Sequence, residues 1–328
     1  MRVFAAIFYL GLLSVFSAEV CSGASQAWFI DPWAWAVMFP LYTSHVLFFI
    51  SLAVRFSRVT ITHLYFLGVV FALYESWVTK VLWWGYPDMA EPTQLLVGGI
   101  AVLEFIILVF FWHPVMSFIV PLLAFETLTG RQIGSHAPIL RAALLRKRLL
   151  FLAAVMLGTF IAKNNGYSFV SVFVAMTGTL LLIAVAGYIC RGVGLEQICL
   201  GRRGLLLNFV YILALYIFTY FLVLPERRPE AFLPYLVIVF CYFIAAFLFW
   251  RLPPAEFGFI AVDDRQLSRR TIIFFVATIM FSACLFCFAG KLSELLLLVS
   301  YLSLIPLGLW LFFRAVRVNP VIARKFTG

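Results

Sequence analysis

The sequence predicts an all-α, polytopic transmembrane helical bundle of about ten spans, with the N- and C-termini cytoplasmic. Three observations carry that expectation: an apolar content too high for a water-soluble core, apolar runs about as long as a bilayer-crossing helix, and basic residues gathered on alternate loops. Of the 328 residues, 65% are hydrophobic and only 12% are charged, with a mean hydropathy of +1.07. A soluble domain of this length cannot hide that much apolar surface in one core, so lipid must be the solvent for most of the chain. In lipid, backbone N–H and C=O groups must pair within their own segment or around a closed barrel. The runs lack the period-two alternation of barrel strands, which leaves helices.

Taken in order, the runs cover about 3–18, 33–54, 61–84, 95–125, 149–163, 168–190, 204–224, 231–250, 271–290 and 294–313. The first has Arg2, a short apolar core and small residues at Ser17 and Ala18, a pattern shared with secretory signals; it is read here as a retained span. The fourth is the longest and contains His113-Pro114, where the missing backbone donor predicts a kink or break. Between the fourth and fifth, Ala137 to Arg148 predicts a short basic helix along the inner surface. The whole of 1–328 reads as one membrane-embedded domain, with a polar half at 1–130 and an apolar half at 149–328.

With the N-terminus inside, the cytoplasmic segments are the tail before the first run and 55–60, 126–148, 191–203, 251–270 and 314–328. They hold every Lys and Arg except Lys80, Lys163, Arg227, Arg228 and Lys291. The formal charge of +10 is then a topology signal, and its dispersal over these segments argues against nucleic-acid binding. The expected partner is the bilayer itself, with Arg146, Lys147, Arg148, Arg202 and Arg203 facing anionic lipids of the cytoplasmic leaflet. Trp28, Trp33 and Trp35, and again Trp83 and Trp84, stand at outer ends of runs, as interfacial rings do. The six cysteines imply no disulfide framework, and Cys284-x-x-Cys287 lies mid-helix as packing residues. Oligomeric state is not encoded in any of these patterns.

Chemistry concentrates in the second to fourth runs. Glu75 falls near the midpoint of the third, where a lone carboxylate costs several kcal/mol and must find a partner or the bundle interior. Lys80 lies about 7.5 Å further out, with a stem long enough to reach the headgroups. A five-residue offset turns it about 140° around the helix from Glu75, a poor intrahelical pair. The partners available to Glu75 are His45, near the midpoint of the second run, and Glu104 and His113 in the fourth. A fourth helix beginning near 95 would centre Glu104, and one beginning near 105 would centre His113. Ser117 and Pro121 follow His113 at four-residue steps and share its helix face.

Three function classes fit these residues. In a proton- or ion-coupled carrier, the favoured reading, a midplane Glu/His pair takes up and releases a proton. In an intramembrane hydrolase, Glu75 with His113 or His45 activates a water, directly or through a metal ion ligated by the same three residues. In a non-catalytic subunit or scaffold of a membrane complex, these groups only lock helix packing. No cofactor is evident, and the metal belongs to the hydrolase alternative alone. No inverted repeat, nucleophile elbow, phosphate loop or Ser/His/Asp grouping stands out.

Ser17-Ala18-Glu19 with Ser22-Gly23, Glu75 with Thr79-Lys80, and His113, Val115, Ser117, Ile119, Pro121 and Glu126 together resemble a family of uncharacterised prokaryotic multi-pass membrane proteins, over about residues 17–126. The resemblance implies a helical membrane fold, a prokaryotic cytoplasmic membrane and a set of candidate positions, but no activity. Ser76 stands where that family usually has a second glutamate, and Thr43 and His45 where it has glycines. A mechanism that needs paired glutamates lacks its second carboxylate here.

Overall fold

A computed structural model describes residues 1–86, 89–263 and 265–318. The basic tail beyond Val318, expected on the cytoplasmic side, lies outside the described residues. Helix α1 (Arg2–Val15) runs on into a π-helical turn (Phe16–Val20), and α2 (Phe39–Arg55) is led in by another (Ala34–Met38). Helix α3 (Ile61–Ala72) passes into a 3-10 turn (Leu73–Ser76), followed by the single turn α4 (Val81–Trp84). A short antiparallel ladder, β1 (Leu96–Val97) on β2 (Ile100–Ala101), precedes α5 (Val102–Ile107). A π-helix (Leu108–Ile119) and α6 (Val120–Thr129) continue α5. Strand β3 (Arg131–Ile133) pairs antiparallel with β4 (Phe259–Ala261). The remaining helices are α7 (Ala137–Leu145), α8 (Lys147–Asn164), α9 (Phe169–Ile189), α10 (Leu195–Ile198), α11 (Arg202–Leu222), α12 (Leu233–Arg251), α13 (Arg269–Phe286) and α14 (Lys291–Arg317).

The molecule is an all-α polytopic bundle, and each of the ten expected runs contains helix. Among the described residues, eight helical stretches are long and apolar enough to cross a membrane. The third run and α8 fall outside that set: Ile61–Ser76 is shorter, and α8 carries Lys147, Arg148 and Lys163. The third run departs from a single helix reaching residue 84. Ser76 Oγ donates to Leu73 O (2.6 Å) and Thr79 Oγ1 to Glu75 O (3.1 Å), so hydroxyls compete for the carbonyls that would continue the ladder. Lys80 then takes a left-handed conformation, φ 59°, which ends the helix. In the fourth run the helix begins at Val102, after a Gly98-Gly99 turn with φ of 59° and 76°. That start is close to the register that centres His113. The break expected at Pro114 appears as wide π-helix, which tolerates the missing donor within a continuous helical stretch.

The chain forms two compact units. The first comprises Met1–Leu47, Val120–Cys199 and Glu256–Ser303. In it α1 packs on α9 and α6, and α8 on α13. Small residues set these approaches: Tyr9 lies against Gly187, and Ser282, facing Gly158, donates to Ala154 O (3.3 Å). Trp28 Nε1 donates to Thr179 Oγ1 (2.9 Å). The second unit comprises Phe48–Ile119, Leu200–Ala255 and the chain from Leu304 on, with α3 packed on the π-helix and α12. There the buried Arg58 donates to Phe249 O (3.1 Å) and to Leu252 O, with its guanidinium 4.6 Å from the Trp250 ring centroid. It satisfies carbonyls at the C-terminus of α12, the negative end of the helix dipole. Arg58→Met is expected to lower stability by about 1–3 kcal/mol, read from unfolding in detergent. An unchanged midpoint would refute the capping role.

Candidate functional site

In the second unit, α3 and the π-helix bring an acid, an imidazole and a hydroxyl into one string. Glu75 Oε1 lies 2.9 Å from His113 Nε2, and His113 Nδ1 lies 2.9 Å from Ser117 Oγ. Thr79 Oγ1 donates to the other carboxyl oxygen of Glu75. A consistent hydrogen pattern runs along the string: Ser117 donates to Nδ1, and Nε2–H donates to the carboxylate. All three side chains are buried, Ser117 completely. The imidazole is enclosed by aromatic rings, Tyr74 edge-on at 5.2 Å and Phe71 at 5.8 Å between centroids. Water is thereby held off, and hydrogen bonds in so apolar a setting are stronger than in solution.

Local backbone chemistry places these groups. The 3-10 turn tightens the chain at Glu75, and Thr79 holds both its carbonyl and its carboxylate. On the partner helix, four-residue spacing puts Ser117 beside His113. The two helices meet at Gly68 and Pro114, where a β-carbon on Gly68 would sit 2.5 Å from Pro114 Cα. Only glycine allows that approach. Gly68 is two turns before Glu75, and Pro114 adjoins His113, so one backbone contact registers the acid against the imidazole. Gly68→Ala is expected to destabilise by about 1–3 kcal/mol, because the neighbour is backbone and cannot swing aside. Thermal unfolding checks this, and a neutral result would mean the crossing tolerates a side chain.

The other sequence candidates are placed differently. Lys80 does not reach for the headgroups: it is fully buried, and its ammonium donates to Thr219 O (2.9 Å), Val78 O (3.3 Å) and Val223 O. Two of those carbonyls end α11, so the cation caps that helix. Glu104 is buried in the first turn of α5, where the helix dipole favours a carboxylate, and its Oε2 has no hydrogen-bond partner among the described residues. His45 is buried in α2, and its Nδ1 donates to Leu41 O (2.7 Å).

The first unit holds two groupings that the sequence did not bring forward. His136 Nδ1 lies 2.9 Å and 3.0 Å from the two carboxyl oxygens of Glu126, and Ile133 N donates to Oε1 (3.1 Å). Both side chains are completely buried, which ties α6 to the turn after β3. Glu19 accepts from Tyr42 OH (2.5 Å) and Ser25 Oγ (2.7 Å). Glu126 and Glu19 both stood in the resemblance motifs, but nothing in spacing pointed to His136. The Ser117–His113–Glu75 string brings together three of the sequence candidates. Its acid is 38 positions away on another helix, beyond any local motif.

Glu75 and His113 are two groups of metal-ligating type, and among the described residues no set of three or more His, Cys, Asp or Glu comes together to hold a metal ion.

Comparison with known proteins places the chain. It matches the model of an uncharacterized membrane protein family over residues 8–325. An uncharacterized protein of Archaeoglobus fulgidus is 40% identical over 124 residues, 36% of this chain and 36% of that protein. The match thus spans about a third of the relative's length. No solved structure matches.

Proposed function

The chain belongs to that uncharacterised membrane protein family, and we propose that it is a proton-coupled carrier whose Glu75–His113–Ser117 string takes up and releases the coupling proton. The supporting observation is the 2.9 Å contact between a buried carboxylate and a buried imidazole where two helices depart from α geometry. Irregular helix inside a membrane protein is tolerated where it serves a site, and π-segments recur at functional sites. A carboxylate and an imidazole in hydrogen-bond contact exchange a proton with little rearrangement, and Ser117 and Thr79 hold them in place. Purified protein in vesicles loaded with a pH dye tests this. A proton movement is expected when one member of a panel of amino acids, sugars, organic acids or cations is added, slowed by Ser117→Ala. No proton movement with any solute, or without solute, counts against the carrier.

A second reading rests on the same string. Hydroxyl, imidazole and carboxylate are the group types of a serine hydrolase triad, although here the hydroxyl meets Nδ1 and the acid meets Nε2. The hydrolase predicts that a fluorophosphonate probe labels Ser117 and that His113→Gln prevents labelling. An unlabelled serine in active protein rejects it. The basic ends of the helices, including Arg146, Lys147, Arg148, Arg202 and Arg203, support anionic lipids as the bilayer partner.

A further inference from the structure

We propose that the first residues of α8 and α13 form one docking surface for anionic lipid headgroups, on the first unit alone. This sharpens the lipid reading above and rests on it. Two contacts bring the starts of these helices to the same end of the unit. Ser282 of α13 bonds Ala154 of α8, and Leu267, two residues before α13, donates to Leu140 O (3.2 Å) on α7, the helix that leads into α8. At that end stand Arg146, Lys147, Arg148, Arg269 and Arg270, all exposed. Among the described residues, none of the five has a carboxylate within ion-pair distance. Two neighbouring cations are neutralised: Arg131 by Glu196 at 2.5 Å and Arg141 by Asp263 at 3.7 Å.

Placement makes the five unusual. Lys147, Arg148, Arg269 and Arg270 open their helices, and neither first turn contains an acidic residue. Cations at the positive end of a helix dipole are unfavourable, and the inside-positive bias asks only that they lie on this side, not that they open both helices. An external anion gives a reason for that placement. The surroundings say which kind. Leu145 is 86% exposed and Leu149 59%, on either side of the basic triplet, and Phe274 follows the second pair at 66%. Cations interleaved with bare leucine and phenylalanine suit the boundary between headgroups and acyl chains, where both find partners at once. A soluble anionic protein would leave the apolar residues to water.

Native mass spectrometry of protein released from nanodiscs tests the proposal, with phosphatidylglycerol and phosphatidylcholine compared. Wild-type protein is expected to retain phosphatidylglycerol preferentially, and added salt should weaken that preference. The combined Arg146→Gln, Lys147→Gln, Arg148→Gln, Arg269→Gln, Arg270→Gln variant should lose retention by about tenfold or more. Lys163→Gln with Lys291→Gln, exposed cations in the last turn of α8 and at the start of α14, should change it by no more than about twofold. If wild-type protein shows no preference for the anionic lipid, the broader lipid reading fails as well. If the preference persists in the fivefold variant, or is lost in the Lys163/Lys291 pair instead, only this surface is overturned. Equal competition by inorganic phosphate would make it a phosphate site independent of the bilayer. Should the fivefold variant not insert, a wild-type preference indifferent to salt would by itself overturn the proposal.

Discussion

Replacing Glu75 by glutamine is expected to reduce solute-driven proton movement to the level of protein-free vesicles while leaving the fold intact. Glutamine has the same shape and keeps a carbonyl oxygen to accept from His113 Nε2. It carries no charge and does not titrate, so what is lost is the proton and not the contact. Because the side chain is buried and already hydrogen-bonded on both oxygens, the stability cost should stay within about 1 kcal/mol. Glu75→Ala differs: it removes the acceptor that His113 Nε2 meets, and should destabilise by about 1–3 kcal/mol as well as silencing transport. Flux and unfolding midpoint, measured together on both variants, separate the readings. A carrier loses flux in both. A scaffold keeps its function in the glutamine variant and shows only altered stability. Wild-type flux in Glu75→Gln would remove the carboxylate from the proton pathway.

The largest stability effect is expected at Lys80. Lys80→Met retains the stem that fills the site but removes the ammonium, leaving the carbonyls of Val78, Thr219 and Val223 without their donor. Each buried carbonyl left without a donor costs about 1–3 kcal/mol, and uncapping a helix C-terminus adds to the same loss. Hydrogen exchange should show the last turn of α11 opening before the rest of that helix. A midpoint within about 1 kcal/mol of wild type would mean that water or a neighbouring donor replaces the ammonium.

These two residues also show how much of the site was legible. Glu75 announced itself because a carboxylate amid thirteen mostly apolar residues has no bland explanation at that depth. The rule that it needs a partner narrowed the choice to three groups, and four-residue spacing put Ser117 with His113. The same reasoning assigned Lys80 a snorkelling stem, because a straight helix to residue 84 would have carried it toward the surface. The chain instead breaks at Leu73, through hydroxyl–carbonyl bonds from Ser76 and Thr79 that a hydropathy profile does not register. Arg58 follows the same pattern: a basic residue in a loop, counted as a topology marker, is spent on the carbonyl end of α12.

By itself the sequence determined that this protein is a helical membrane protein and that its ionisable groups gather in the second to fourth hydrophobic runs. Both follow from local free energies: apolar length against bilayer thickness, and the cost of charge in hydrocarbon. Only the tertiary structure decided which imidazole meets Glu75, which carbonyls hold Lys80 and Arg58, and that Glu126 finds His136. Those outcomes depend on helix crossings such as Gly68 on Pro114 and on where hydroxyls interrupt a helix. Crossings and breaks are set by shape across tens of residues, which composition and periodicity do not encode.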